Sequence, residues 1–228
     1  MATTETRLAA VSGGQSLREQ VGHALRAALV TGQLKPGQVY SAPALAGQFG
    51  VSATPVREAM LDLAKEGLVE VARNKGFRVV PVGERDLDEY TQLRRLIEVP
   101  TVCALAGRIS PAAAERLRAK AKAIVDAAGT GDLLGYIEAD RAFHLDLLGL
   151  AGNRHLVSVV AELRDRSRLY GLGDLAHGGG LIESAEEHLT LLEHLAAGEQ
   201  AAAEHLITHH LGHLRSLWSA ASGKPKAD

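Results

Sequence analysis

From residue 84 to residue 220 the sequence offers helix and little else, and this constrains the fold more than any other feature. Apolar side chains recur there at helical spacing, in segments read as 84–108, 111–128, 131–149, 153–172, 181–197 and 199–220. The breaks between them are short: Ser110-Pro111, Gly129-Thr130-Gly131, Gly152-Asn153, Gly178-Gly179-Gly180 and Gly198. Helices joined by so few residues lie antiparallel to their neighbours, which makes a bundle. Aromatics are 4% of the chain, so Leu, Val, Ile and Ala must build its core.

The first 80 residues follow a different pattern. Leu17, Val21, Leu25 and Leu29 mark a helix that starts at Ser16 and ends at Thr31-Gly32. Lys35-Pro36-Gly37 is a turn. A short helix is predicted from Ala42 to Phe49, broken by Gly50. Ser52 or Thr54 can cap a third helix that ends near Glu66, with Pro55 in its first turn and Gly67 at its end. Two β-prone runs follow, Leu68–Val71 and Phe77–Val80, joined by Arg73-Asn74-Lys75-Gly76 as a hairpin turn. Helix, helix-turn-helix and β-wing in that order make a winged helix-turn-helix. The expected organisation is therefore a tail at 1–15, a winged helix-turn-helix at 16–80, a linker at 81–83, a helical domain at 84–221 and a second tail at 222–228. The fold class is mainly α: a winged helix-turn-helix followed by an all-helical antiparallel bundle.

Charge is divided between these parts. Residues 1–80 hold 9 Lys/Arg against 6 Asp/Glu, and the remainder holds 16 against 21. A basic front and an acidic back fit a DNA-binding domain joined to a regulatory one. The single cysteine, Cys103, excludes an internal disulfide and a cysteine-based zinc site. The first residues lack the apolar core of a signal peptide, and no stretch is long enough to span a membrane, so the expected location is the cytoplasm.

A helix-turn-helix places its second helix in the major groove, N-terminal residues nearest the bases. Here that helix opens Val51-Ser52-Ala53-Thr54-Pro55-Val56-Arg57. Ser52 and Thr54 can reach phosphates or base edges, and Arg57 can contact a phosphate or a guanine. Arg73 and Lys75, at the wing tip, can reach a neighbouring groove or the backbone. The expected partner is a double-stranded operator.

The stretch from Leu17 to Val80 resembles the winged helix-turn-helix of GntR-type regulators. The fragments GQLKPG, LAGQFGVS, TPVREAM and EGLVEV carry the resemblance in order and spacing. It implies a homodimer on a short palindromic operator. The sequence departs from the family at Ala53, where a base-reading Arg is common, and at Ala42 and Pro43, which replace a charged pair. Sparser base readout, or a different operator, follows.

In the helical part, four polar residues fall on apolar helix faces. Asp140 and His144 are i, i+4 neighbours and share a face with Leu133, Ile137, Leu147 and Leu148. His188 sits among Leu181, Ala185, Leu192 and Leu195, and His210 among Ala203, Leu206, Leu214 and Leu217. A buried carboxylate and three buried imidazoles are costly unless they satisfy one another or bind a cation. The set suits a divalent metal, Zn first, with Ni or Mn as alternatives. His205, His209 and His213 form a row on the more polar face and are read as solvated.

This region resembles the FadR-type ligand domain of GntR regulators, the FCD domain, across about residues 84–220. The matching fragments are LRRLIE, DRAFH, GNRHL, EEHLTLLEHLAAGEQ and the terminal HHL. The resemblance makes Asp140, His144, His188 and His210 the metal ligands. It implies a small carboxylate effector, gripped by Arg94, with Arg95 as the alternative cation. Asn153 is read as a helix cap and as a second effector contact. The function so implied is a transcriptional regulator, a repressor by family habit, released by its effector and not an enzyme. Three other readings use the same four residues: a metal-dependent hydrolase, a sensor of the metal itself, and a bundle whose metal is purely structural.

Overall fold

The computed structural model describes residues 16–168 and 180–221, without the side chains of residue 168 and residues 213–221. Both predicted tails, the end of the predicted 153–172 helix, and His213, Leu214 and Leu217 as side chains lie outside the described residues.

The head is built as the spacing predicts. Helix α1, Leu17–Val30, starts with a capping box in which Ser16 Oγ accepts from the Glu19 amide at 3.2 Å. The Glu19 carboxylate in turn accepts from the Ser16 amide at 2.7 Å. Helix α2, Ala42–Phe49, is capped by Ser41 and ends at Gly50, whose φ of 66° suits a residue without Cβ. Helix α3 runs from Ala53 to Lys65. Strands β2, Val69–Ala72, and β3, Gly76–Val79, pair antiparallel to form the wing.

One strand is missing from the sequence reading. Val39–Tyr40 forms β1, which pairs with the outer edge of β3 to give the order β1-β3-β2. Two residues are too few to show alternation, so the strand leaves no signal. Its placement does explain Gly76. With φ at 123°, a Cβ there would stand 2.3 Å from the Tyr40 carbonyl, so the strand crossing requires glycine. Leu25, Val56, Met60, Leu63 and Val79 close the head's core with no measurable exposure.

After Gly83 the chain is helical: α4 Glu84–Cys103, α5 Pro111–Thr130, α6 Leu133–Gly149, α7 Arg154–Arg168, α8 Gly180–Ala197 and α9 Gln200–Ala221. Helix α5 packs on α6 and α8, α4 on α9 and α7, and α6 on α7, around Leu117, Ile124, Phe143, Leu147 and Leu148. Helix α4 stops five residues short of the expected 108. The Gly107 amide is taken by the Leu195 carbonyl at 2.8 Å. That bond turns residues 104–108 across the end of α8. Among the described residues no helix is long and apolar enough to cross a membrane.

Candidate metal centre and nucleic-acid interface

Asp140 and His144 come from one face of α6, His188 from α8 and His210 from α9; all four are buried. The tertiary packing brings one ligand atom from each within 4.8 Å of every other. His144 Nε2 lies 3.0 Å from His188 Nε2 and 3.2 Å from His210 Nε2. Asp140 Oδ1 lies 3.1 Å from His188 Nε2 and 3.7 Å from His144 Nε2.

The outward nitrogens decide what the inward ones can be. His188 Nδ1 is 3.0 Å from the Ala185 carbonyl, an acceptor only, so it carries the proton. His210 Nδ1 is 2.8 Å from Glu187 Oε2 and donates to it. In the neutral rings both Nε2 atoms therefore present lone pairs. Burial first, then the Arg164 charge and the neighbouring imidazoles, holds His144 well below the usual histidine range, so it is neutral near pH 7. Lone pairs and a carboxylate oxygen thus converge on one point. With two outer protons fixed, at most the single proton of His144 is left to bond among these four atoms. Such a donor set fits a divalent cation, and the Glu187–His210 and Ala185–His188 contacts are the outer bonds that orient metal-binding imidazoles.

A second buried layer surrounds the cluster. Arg164, on α7, donates from Nη1 to Asp140 Oδ2 at 2.9 Å and from Nη2 to Glu98 Oε2 at 2.8 Å. Glu98 Oε1 also accepts from Arg94 Nε at 2.6 Å. Burial pushes the Glu98 carboxyl up, but Arg164 and then Arg94 outweigh it and hold the group below its ordinary value. Burial and the Arg164 charge push Arg94 down to about 10, which still leaves it charged at neutral pH. Arg94 Nη2 is buried without a hydrogen-bond partner, as is His144 Nδ1.

The other predicted residues fall as follows. Arg94 is buried beside the cluster, whereas Arg95 is exposed, its Nη2 3.4 Å from the Thr208 carbonyl. Asn153 is exposed, and its Oδ1 accepts from the amides of His155 and Leu156 at 3.1 Å each. It is the cap of α7. His205 and His209 are exposed. Glu187 Oε1 faces His209 Nδ1 at 3.1 Å, so both of its oxygens serve imidazoles, and Glu193 is exposed. Sequence reasoning missed Glu98, Arg164 and the role of Glu187. Only the i, i+4 spacing of Arg94 and Glu98 hints at the first.

In the head, Ser52 stands at the N-cap of α3 but makes no capping hydrogen bond, which leaves its hydroxyl exposed at the helix start. Thr54 and Arg57 are exposed on the next turn, and Arg73 and Lys75 on the wing. Arg57, Lys75 and Asn74 line one groove of about 380 Å³ with Ser41 and Pro43. Asn74, with φ at 61°, turns the wing tip.

Two family patterns match this chain: residues 17–79 match "Bacterial regulatory proteins, gntR family", and residues 89–213 match the FCD domain. The chain is a GntR-family regulator with an FCD domain. This GntR regulator is 30% identical over 194 residues to the HTH-type transcriptional regulator McbR of Escherichia coli (strain K12), covering 84% of this chain and 88% of McbR. It is 25% identical over 212 residues to the HTH-type transcriptional repressor RspR of the same organism, covering 92% of this chain and 90% of that one. Its structure is similar to that of E. coli McbR/YncC, with a TM-score of 0.70 over 91% of this chain and all (100%) of the other, at 29% identity. The fold is also that of Lar from Listeria monocytogenes, with a TM-score of 0.61 at 21% identity, over 90% and 98% of the two chains. The GntR regulator therefore has a DNA-binding head and a helical FCD domain, as the sequence resemblance implied.

Proposed function

We propose that this regulator binds a palindromic operator as a homodimer and represses transcription until a small carboxylate binds at a divalent metal in its FCD domain. The observation that carries the reading is the convergence of three Nε2 atoms and one carboxylate oxygen, all buried, within 4.8 Å of one another. Asp140, His144, His188 and His210 would hold the ion. Zn is the first candidate and Ni or Mn the alternatives, since imidazole and carboxylate suit all three. The ion would supply positive charge and open coordination positions for an acid.

The chain's own residues favour an anion there. Asp140 and Glu98 balance Arg94 and Arg164, so any bound cation leaves the buried cluster positive. Arg94 Nη2 is a buried donor without a partner, and a carboxylate oxygen would satisfy it. The working units are the head at 16–80, the linker at 81–83 and the helical domain at 84–221, acting in the cytoplasm where the operator lies. In the head, Ser52, Thr54 and Arg57 would face the major groove, and Arg73 and Lys75 the flanking backbone.

A crystal structure of the protein as purified, collected with anomalous scattering, tests the reading. The expected result is one anomalous peak among the four side chains, with an acid bridging it to Arg94. No metal in elemental analysis of the same preparation, together with no Zn uptake by calorimetry, would overturn it.

A further inference from the structure

Three consecutive residues of α7 engage three different parts of the molecule. Arg164 is fully buried and bridges Asp140 and Glu98. Asp165 accepts from both Nε and Nη2 of Arg141, at 2.6 and 3.0 Å. Arg166 lies beneath Gly67, where a Cβ would stand 3.1 Å from Arg166 Nε. Gly67 is the residue that ends α3, the recognition helix, and turns the chain into the wing. One rigid helix therefore touches the metal-site carboxylate, the seam between the domains, and the end of the DNA-reading helix.

The seam has room to move. A cavity of about 310 Å³ opens between the domains, lined by Arg26, Glu66 and Leu68 on the head and by Leu134, Ile137 and Arg164 on the helical side. Elsewhere the head is held to α6 through packing of α1 and an exposed His23–Glu138 contact at 3.2 Å. Close-packed contacts transmit displacement, while an adjoining void lowers the resistance to it. Asp140 is shared across this layout. Its Oδ1 faces the imidazoles and its Oδ2 accepts from Arg164, so where the carboxylate sits fixes where Arg164 sits.

We propose that α7 carries occupancy of the metal site to the recognition helix, with Arg164 as the positioning residue at one end and Arg166 at the other. The inference rests on the metal reading above. It adds a route that bypasses the linker at 81–83.

Amide hydrogen exchange tests it without a known operator or effector. The full chain is stripped with a chelator and then loaded with Zn alone. The reporters are the amides of Glu66, Gly67 and Leu68, which bond to the Asp62, Ala64 and Leu63 carbonyls. In the wild type, Zn is expected to slow their exchange roughly five- to tenfold, the lower end of an ordinary coupling between sites. In Arg166→Ala, Zn is bound as in the wild type but the slowing disappears. In Arg164→Lys the slowing disappears and Zn affinity falls by about 10-fold or more. The proposal is overturned if Arg166→Ala keeps the full slowing, or if wild type binds Zn with no change at these amides. A wild-type chain that binds no Zn overturns the metal reading itself, which is a separate failure.

Discussion

In the head, residues 16–80, no buried residue carries a polar side chain; among the described residues of the helical domain nine buried ones do, from Arg94 to His210. The head keeps Ser52, Thr54, Arg57, Arg73 and Lys75 outside, where the proposed DNA contacts would be made. The helical domain takes Asp140, three histidines, Glu98 and two arginines inside, where desolvation makes each charge interaction strong. A duplex can only be met at a surface, so recognition costs the head's core nothing. A small acid can be enclosed, and enclosure is what gives a few polar atoms their selectivity. That interior is expensive, a cost the proposed metal and acid would offset.

The largest expected effect falls on the expensive side of this contrast. Zn at a thousandfold excess over its dissociation constant stabilises a folded state by about 4 kcal/mol. For a chain of this size that raises the melting temperature by about 10 °C. Differential scanning calorimetry with Zn and after chelation should show that shift in the wild type and its loss in His188→Ala. An unchanged melting temperature would remove the contrast between the two regions.

Next comes the head. Arg57→Ala is expected to weaken operator binding by about 1–3 kcal/mol, measured by fluorescence anisotropy on a selected operator, with Zn affinity unaltered. A change in Zn affinity would show that the regions are less separate than their burial suggests. Lys75→Ala should weaken binding less, and equally across sequences. Its signature is a salt dependence shallower by about one unit in the log–log slope.

The smallest effect concerns an exposed ion pair in the head. Arg18, first, and then Lys65 hold the Asp62 carboxyl below its ordinary value. A depressed carboxylate stabilises the fold above its unfolded value, about 3.9, and the contribution is lost as pH falls through the folded value. Asp62→Asn should therefore cost under about 1 kcal/mol near neutral pH. In urea titrations, the gap between variant and wild type should close as pH drops below about 4. A gap that persists in acid would mean the pair matters for packing and not for charge.

Local structure was legible in the sequence wherever a short-range rule governs it. The limits of α2, the start of α1 and the turn at Gly50 follow from spacing, caps and a positive φ. The four inward polar residues were legible too, because Asp140 with His144, His188 and His210 each interrupt an otherwise apolar helical face. Arg164 was not, because AELRDRSR reads as a polar run and its buried position depends on how α7 meets α4 and α6. Asn153 was legible as the cap of α7, because a local rule places it.

The sequence by itself determined the helices and the wing hairpin, their order and that Asp140, His144, His188 and His210 turn inward, since these depend on helical period, capping and transfer from water. Only the tertiary structure decided that those side chains meet at one point, that Arg164 and Glu98 enclose them, and that α7 reaches the end of the recognition helix. Those facts depend on angles and distances between helices far apart in the chain, which no local periodicity encodes.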